Sequence, residues 1–394
     1  MRSSISSILV GVVASAPCTP EQFFINYADS PSQMRISWAT SCSATAAVSY
    51  GLSPTSLTQS VTGPAPSRYT APFYTSPYIY HVTLSGLEED TVYFYRVGDR
   101  TSGASPIFNF TSHPGVGPSL SHKFAVIGDP GQTSNSASTF GHVAASASDS
   151  IMIVGDLSYA DSDQPRWDSW QSLVAPLSSH LPTMVQVGNH EKELTGFDAY
   201  AARFAMPAPA SGVNNVWYSV NIASAHWICL SNYHPFTSGS EQYDWLKSDL
   251  LSINRTATPW VLINTHAPWY STNSVHQGDG EAQRQALEAM LYASGVDAVF
   301  TGHVHAYERS HRVFNKQRDA KGPMHVTVGD GGNREGLYPN WLPQTPVSAF
   351  RAATYGHGEL SIFNETHALW AWHANPDSEA KVEDSVWLIK GQDA

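Results

Sequence analysis

Beyond its first sixteen residues the chain has no run of the roughly 18 consecutive apolar residues that would span a bilayer, which argues against a transmembrane helix. Thiols are scarce too: three cysteines, Cys18, Cys42 and Cys229, are too few for a disulfide-built scaffold. Cys18 and Cys42 are close enough in sequence to be bridged within the first domain. Cys229 lies in the apolar run Trp227-Ile228-Cys229-Leu230 and reads as a buried thiol. Positive charge is in deficit. With 21 Lys and Arg against 33 Asp and Glu, the net charge is −12, and such a surface repels polyphosphate backbones. That excludes a nonspecific nucleic-acid binder, and any site handling phosphate must supply its own local positive charge. Charged residues are only 14% of the 394, hydrophobic ones 42%, which suffices for two cores. The 28 glycines and 25 prolines are dispersed, which excludes disorder and collagen-like structure.

Residues 1–16 read as a secretory signal. Arg2 gives the positive start, Ile8–Ala14 a short apolar run, and Ala14-Ser15-Ala16 small residues for cleavage. Pro17 makes a cut after Ala14 as good as one after Ala16. Three acceptor sequons, at Asn109, Asn254 and Asn364, agree with a secreted glycoprotein.

Residues 17–113 read as all-β. Met34–Trp38, Ala47–Tyr50, Tyr80–Leu84 and Val92–Val97 alternate, separated by turn residues such as Gly51, Pro64, Gly86 and Gly98, and predict a small β-sandwich. Residues 111–118 are a Gly/Pro linker. From residue 122 the character changes to apolar strands that each run into a polar turn. Phe124–Ile127 meets Gly128-Asp129, Ile151–Val154 meets Gly155-Asp156, and Met184–Val187 meets Gly188-Asn189-His190. Trp260–Ile263 reaches His266, and Val296–Phe300 reaches Gly302-His303. Amphipathic helices fit between: Trp167, Trp170, Val174 and Leu177 share one face, and Glu281–Ala293 stops at Gly295. This is an α/β domain over residues 122–330 with its site at the carboxyl ends of the strands. A tail, residues 331–390, is expected to complete it with strand-like pieces at Gly358–Phe363 and Ala368–His373, after Met324–Val328.

Five strand ends thus deliver Asp129, Asp156, Tyr159, Asn189, His266, His303 and His305. One aspartate at a strand end is ordinarily a helix cap or turn former. A hard or borderline metal ligand at every strand end is not. Mixed carboxylate, amide and imidazole donors suit Mn, Fe and Zn, and the absence of thiolate argues against a structural zinc cross-link. The set exceeds the three or four protein ligands of one catalytic metal, so a second metal with a bridging carboxylate absorbs the surplus.

Together Gly128-Asp129-Pro130-Gly131, Gly155-Asp156-Leu157-Ser158-Tyr159, Gly188-Asn189-His190-Glu191, the strand end at His266 and Gly302-His303-Val304-His305 match the metallophosphoesterase signature. Tyr159, three residues after Asp156, and Ala306-Tyr307-Glu308-Arg309 after the second histidine resemble purple acid phosphatases specifically. The resemblance extends over nearly the whole chain, including the tail motifs Tyr355-Gly356-His357-Gly358 and Trp370-Ala371-Trp372-His373. It implies a fibronectin-III-like β-sandwich, as in the large plant and fungal members, followed by a metallophosphoesterase α/β/β/α sandwich. It implies Fe(III) held by Asp129, Tyr159 and His305, a divalent Zn, Mn or Fe(II) held by Asn189, His266 and His303, and Asp156 bridging. The implied reaction is hydrolysis of small phosphate monoesters at acid pH by metal-bound hydroxide. Charges of +3 and +2, less three anionic ligands and a hydroxide, leave about +1, the local cationic site that the net charge demands.

The same resemblance implies that His190 and His276 act on the substrate, with Asn189 and Asp279 also binding it. Asp279 stands where relatives often carry glutamate, and Val275 where many plant relatives have a second histidine; both departures bear on substrate range and pH profile. His142, His180, His226 and His234 read as surface or core, Glu308 and Arg309 as buttresses of the His303 turn, and Tyr307 as packing. Trp370 and Trp372 alternate like strand core, and His357 reads either as a brace of the site or as tail packing. Two rivals remain: a phosphodiesterase or nucleotide pyrophosphatase on the same core, and a binding protein that uses the sandwich and keeps an inert core. No cysteine follows Cys229, so a tail-to-tail disulfide dimer is excluded and a monomer or non-covalent homo-oligomer is expected.

Overall fold

Alternation decides the first domain. In the strand Val92–Asp99, Tyr93, Tyr95 and Val97 are buried while Phe94 and Arg96 are partly exposed, and Val82 and Leu84 do the same in Tyr78–Leu84. The inward faces belong to two antiparallel sheets. One runs Glu21–Tyr27, Met34–Thr40, Tyr78–Leu84, and the other Phe108–Thr111, Val92–Asp99, Ala47–Gly51, Gln59–Thr62. Cys18 and Cys42 are disulfide-bonded, and Cys229 is a buried free thiol. The computed structural model describes residues 18–99, 103–207, 212, 215–375 and 380–391; the expected signal segment lies outside them.

Among the described residues from 122 on, two mixed sheets face each other. The first is six-stranded, in the order Thr183–Val185, Ser150–Ile153, His122–Ile127, Gly356–Ile362, His367–Ala374, Lys381–Ile389. The second carries Tyr218–Ile222, Ala225–Cys229, Trp260–Asn264, Ala298–Thr301, Met324–Val328 and Tyr307–Phe314 in that order. Between them large rings interlock: Phe124–Trp227 at 5.1 Å, Trp227–Phe300 at 5.4 Å and Phe300–Trp370 at 5.1 Å between centroids. Alternate residues of the second sheet, Ile228, Val261, Ile263 and Val299, face outward onto Leu246 and Leu250 of helix Glu241–Ser252 and Leu287 and Leu291 of helix Glu281–Ala293. Helices Ser134–Ala145 and Pro165–Ser178 flank the other side, giving helix, sheet, sheet, helix.

Among the elements not expected from the sequence are one helix and one strand with little signal. Helix Ser134–Ala145 buries only Phe140 and Val143 among large apolar residues, too sparse a stripe to read. Lys381–Ile389 is an edge strand with Lys381, Val382 and Glu383 exposed, and edges carry charge because an apolar one would invite further pairing.

Polar groups in a buried seam join the sandwich to the second domain. Arg203, fully buried, donates to Tyr69, Gln22, Tyr74 and Asp168 at 2.8–3.1 Å, so its charge is paired and hydrogen-bonded on every side. His81 bonds Ser37 Oγ through Nδ1 (2.7 Å) and donates from Nε2 to the Ala202 carbonyl (3.0 Å). His113 accepts the Gly115 N–H at Nδ1 (3.0 Å) and donates from Nε2 to the Asn221 carbonyl (2.8 Å).

That arrangement uses the neutral ring in His113, and burial lowers both histidines to about 4. A free histidine titrates near 6.5, so between pH 6.5 and 4 the unfolded chain takes up protons that the folded one refuses. Stability therefore falls with pH across that window, by about 1.4 kcal/mol per pH unit for each ring, and levels off below it. Denaturant unfolding of His81→Gln with His113→Asn, measured from pH 7 to 4, should show a visibly shallower acid loss than wild type. Equal slopes would mean the rings are charged in the fold.

Candidate metal centre

Where the central strands of the two facing sheets end, the chain turns sharply to form a second seam. Asp129, Asp156, Tyr159 and His303 all have left-handed backbones, with φ of 53, 56, 50 and 67°. Such a conformation costs a non-glycine residue on the order of 1 kcal/mol or more, and it persists where surrounding bonds over-determine it. Here the bonds are visible. Both Asp129 carboxylate oxygens accept the His303 N–H (2.9 and 2.8 Å), locking the first and fifth ligand turns together. Glu191 accepts the N–H groups of Asp156, Leu157 and Gly188 at 2.7–2.8 Å, locking the second and third. Two glycines permit the approach. A Cβ on Gly188 or Gly302 would lie 2.1 Å from Asp156 Oδ1 or Asp129 Oδ2 respectively.

The ligand atoms meet in two groups. Tyr159 Oη lies 3.2 Å from Asp129 Oδ1 and 3.0 Å from His305 Nε2. His266 Nε2 lies 2.9 Å from Asp156 Oδ2 and 3.2 Å from Asn189 Oδ1, and Asp156, His266 and His303 together are close enough to hold one ion. Each imidazole has its remote nitrogen occupied: His266 Nδ1 donates to the Val154 carbonyl (2.8 Å), His305 Nδ1 to the Gly336 carbonyl (3.0 Å), and His303 Nε2 to Asp279 (2.9 Å). This is how metal-ligating histidines are oriented and fixed in one tautomer.

The field in the seam favours positive charge. Burial opposes a charge on His266, yet Asp156 and Asp129 hold its pKa at about 10. Burial would raise Asp156, yet His266 and His190 hold it well below the usual carboxylate range. Tyr159 is pushed well above 10 by burial and by Asp129 and Asp156, so its oxygen can ionise only against strong positive charge. Two buried carboxylates, a tyrosine, an asparagine and three pinned imidazoles fit a pair of metal ions of the Fe and Zn kind.

His190 and His276 both reach the rim. The His190 ring lies over Tyr159 (4.0 Å), with Nδ1 against Asp161 and Nε2 3.5 Å from Glu335. The His276 ring packs at a tilt against His303, 4.0 Å between centroids, and shares Asp279 with it, through Nδ1 at 3.2 Å. Asp279 therefore touches a candidate ligand as well as the rim. Glu308 departs from its expected place: it accepts from Thr272 N–H (2.7 Å), Thr272 Oγ1 and Ser348 Oγ, and so holds the Tyr270–Asp279 loop and not the His303 turn. Arg309 pairs with Asp384 (2.6 Å), and Tyr307 stacks on Trp372. His226 is bonded to Asp249.

Several rim residues were not anticipated. Asp161 joins His190 to Arg334, Glu335 faces both His190 and His305, and Tyr338 stacks on His305 at 4.2 Å. The signal was present: the strand Met324–Val328 runs into Gly329-Asp330-Gly331-Gly332-Asn333-Arg334-Glu335, a sixth strand end of the same polar, glycine-rich kind. Asn232, whose Oδ1 accepts the His266 and Ala267 N–H groups, had no such signal.

Three family models match in chain order: purple acid phosphatase N-terminal domain over residues 20–112, calcineurin-like phosphoesterase over 122–307, and iron/zinc purple acid phosphatase-like protein C over 322–385. The purple acid phosphatase 22 of Arabidopsis thaliana is 43% identical over 378 residues, 94% of this chain and 85% of that one. The Fe(3+)-Zn(2+) purple acid phosphatase 12 of the same plant is 40% identical over 80% of this chain and 72% of its own. A purple acid phosphatase from yellow lupin seeds has the same fold, with a TM-score of 0.85 over 94% of this chain and 74% of that one at 22% identity.

The close approach at Gly302 makes a test. In Gly302→Ala the new methyl must displace Asp129, and overpacking of this kind costs about 1–3 kcal/mol. Metal analysis should show the iron content more than halved, with the fold retained by circular dichroism. Full iron content in this variant would mean that Asp129 does not hold the ion.

Proposed function

The chain belongs to the purple acid phosphatase family, and from that premise we propose how its residues divide the work of phosphate-ester hydrolysis. It is a phosphatase with a dinuclear centre of iron and a divalent metal, a phosphoric monoester hydrolase. Asp129, Tyr159 and His305 would hold Fe(III), Asn189, His266 and His303 the divalent ion, and Asp156 both. The observation that carries this division is the pinning of all three imidazoles by their remote nitrogens, which aims the other nitrogens at the carboxylates, Tyr159 and Asn189. When bound, the metal pair supplies Lewis acidity that activates water and draws the phosphoryl oxygens in.

The chain's own groups do the rest. His190, with Nδ1 held by Asp161, presents Nε2 to a phosphoryl oxygen, and Arg334 fixes Asp161 in turn. This is a hydrogen-bond clamp that strengthens as charge develops. His276, with Nδ1 held by Asp279, keeps Nε2 free to protonate the departing alkoxide. Asp279 orients His276 and His303 together and is a positioning residue. The substrates are small phosphate monoesters.

The sequon asparagines Asn109, Asn254 and Asn364 are exposed, Cys18 and Cys42 are bonded, and no described helix is long and apolar enough to cross a membrane. These features support a secreted glycoprotein.

Tyr159→Phe should abolish the broad visible absorption expected of tyrosinate on Fe(III). A colourless, iron-free, fully active wild type would overturn the ferric assignment. His276→Ala should cost roughly 10²–10⁴-fold in kcat/KM with glycerol phosphate, whose alkoxide needs the proton, and far less with nitrophenyl phosphate. His190→Ala should cost the two substrates equally. A preference for bis-nitrophenyl phosphate over the monoester would favour the phosphodiesterase reading.

A further inference from the structure

A second cluster of ligating side chains lies on the outer face of the first sheet. His357 and Glu359 are two apart on the strand Gly356–Ile362 and so share a face, and His373 is the direct cross-strand partner of His357 on His367–Ala374. The two imidazoles stack at 5.0 Å, and one ligand atom from each of the three side chains lies within 4.8 Å of the others. They open into a cleft of about 780 Å³ against helix Ser134–Ala145, which His142 and Lys123 also line.

His357 is only 1% exposed, yet among the described residues neither of its ring nitrogens has a hydrogen-bond partner, and His373 Nε2 has none either. Buried polar atoms are nearly always paired, and one that is not calls for an ion or a water. Glu359 Oε2 lies 3.4 Å from His373 Nε2, and Oε1 lies 4.0 Å from His357 Nε2. Zinc bonds of about 2.0–2.2 Å at tetrahedral angles put neighbouring donors about 3.3–3.6 Å apart, so small side-chain movements suffice.

We propose that His357, Glu359 and His373 form a third metal site, separate from the dinuclear centre, that takes a single divalent ion of the zinc class. Two imidazoles and a carboxylate are a known zinc donor set, and the open side toward His142 leaves a fourth position. Lys123 lies 3.5 Å from Glu359 Oε2 and competes for it, but its ammonium also donates to the Ser146 carbonyl at 3.2 Å and keeps that partner when a metal arrives.

The test uses the full-length holoenzyme with its dinuclear pair filled, equilibrated with micromolar Zn2+ and desalted. Elemental analysis should find one more equivalent of zinc per chain in wild type than in His373→Ala or Glu359→Gln. Iron content and activity should be the same in all three. Zn2+ should raise the melting temperature of wild type by a few degrees and leave both variants unmoved. His373 is partly exposed at the rim of the cleft, so its truncation spares the core. No extra zinc in wild type, or the same uptake and the same thermal shift in wild type and both variants, overturns the proposal. The comparison between variants holds whichever ions fill the dinuclear pair.

Discussion

Two carboxylates that solvent scarcely reaches, Asp129 and Asp156, both act on His266 in the seam where the strands of both sheets end. Burying even one such charge is costly unless it is compensated, and two of the same sign compound the cost. The surrounding structure answers that single demand. Imidazoles are aimed at the carboxylates, backbone N–H groups are turned toward them, and the Tyr159 oxygen can join as an anion only when cations arrive. The same field that would draw in two metal ions would leave the pocket positive enough for phosphate in a protein whose net charge is −12.

Holding such a centre requires backbones that ordinary residues avoid. Four candidate ligands sit in left-handed turns; the Asp129–His303 bonds join turns of opposite sheets, and the Glu191 bonds join two neighbouring turns of the first sheet. Strain here is carried by two packed layers and not by any one loop. The interlocked rings of Phe124, Trp227, Phe300 and Trp370 fix the distance between the layers, and with it the distance between the two ligand groups. The sandwich domain is bound to this frame by desolvated polar contacts at Arg203, His81 and His113, the kind of contact that is costly to leave half-made.

Much of this was legible from periodicity and punctuation. The alternating strands of the sandwich, the helices Pro165–Ser178 and Glu281–Ala293, and seven candidate ligands could be read because each apolar run ends abruptly in a polar turn, four of the five with glycine, that carries a ligating residue. What escaped did so for identifiable reasons. The Asn333–Glu335 turn carries the same signal at a sixth strand, but Glu335 and Asp161 matter through charge across the rim, against His190, and lie outside the two groups of candidate ligands. Glu308 was placed on the wrong neighbour because adjacency to His305 in sequence says nothing of where a strand residue's side chain points. His357 and His373 are sixteen residues apart and meet only because the two strands pair in that register.

The sequence by itself determined which chemistry is present: donor types, their order along the chain, and the strand-then-turn grammar that delivers them to one edge. Those are local properties, set by the residue and its immediate neighbours. Only the tertiary structure decided which nitrogen of each histidine is free, which carboxylate faces which imidazole, and where an unpartnered ring is left. Each of those depends on a contact between segments far apart in the chain, and sheet register and layer packing alone fix such contacts.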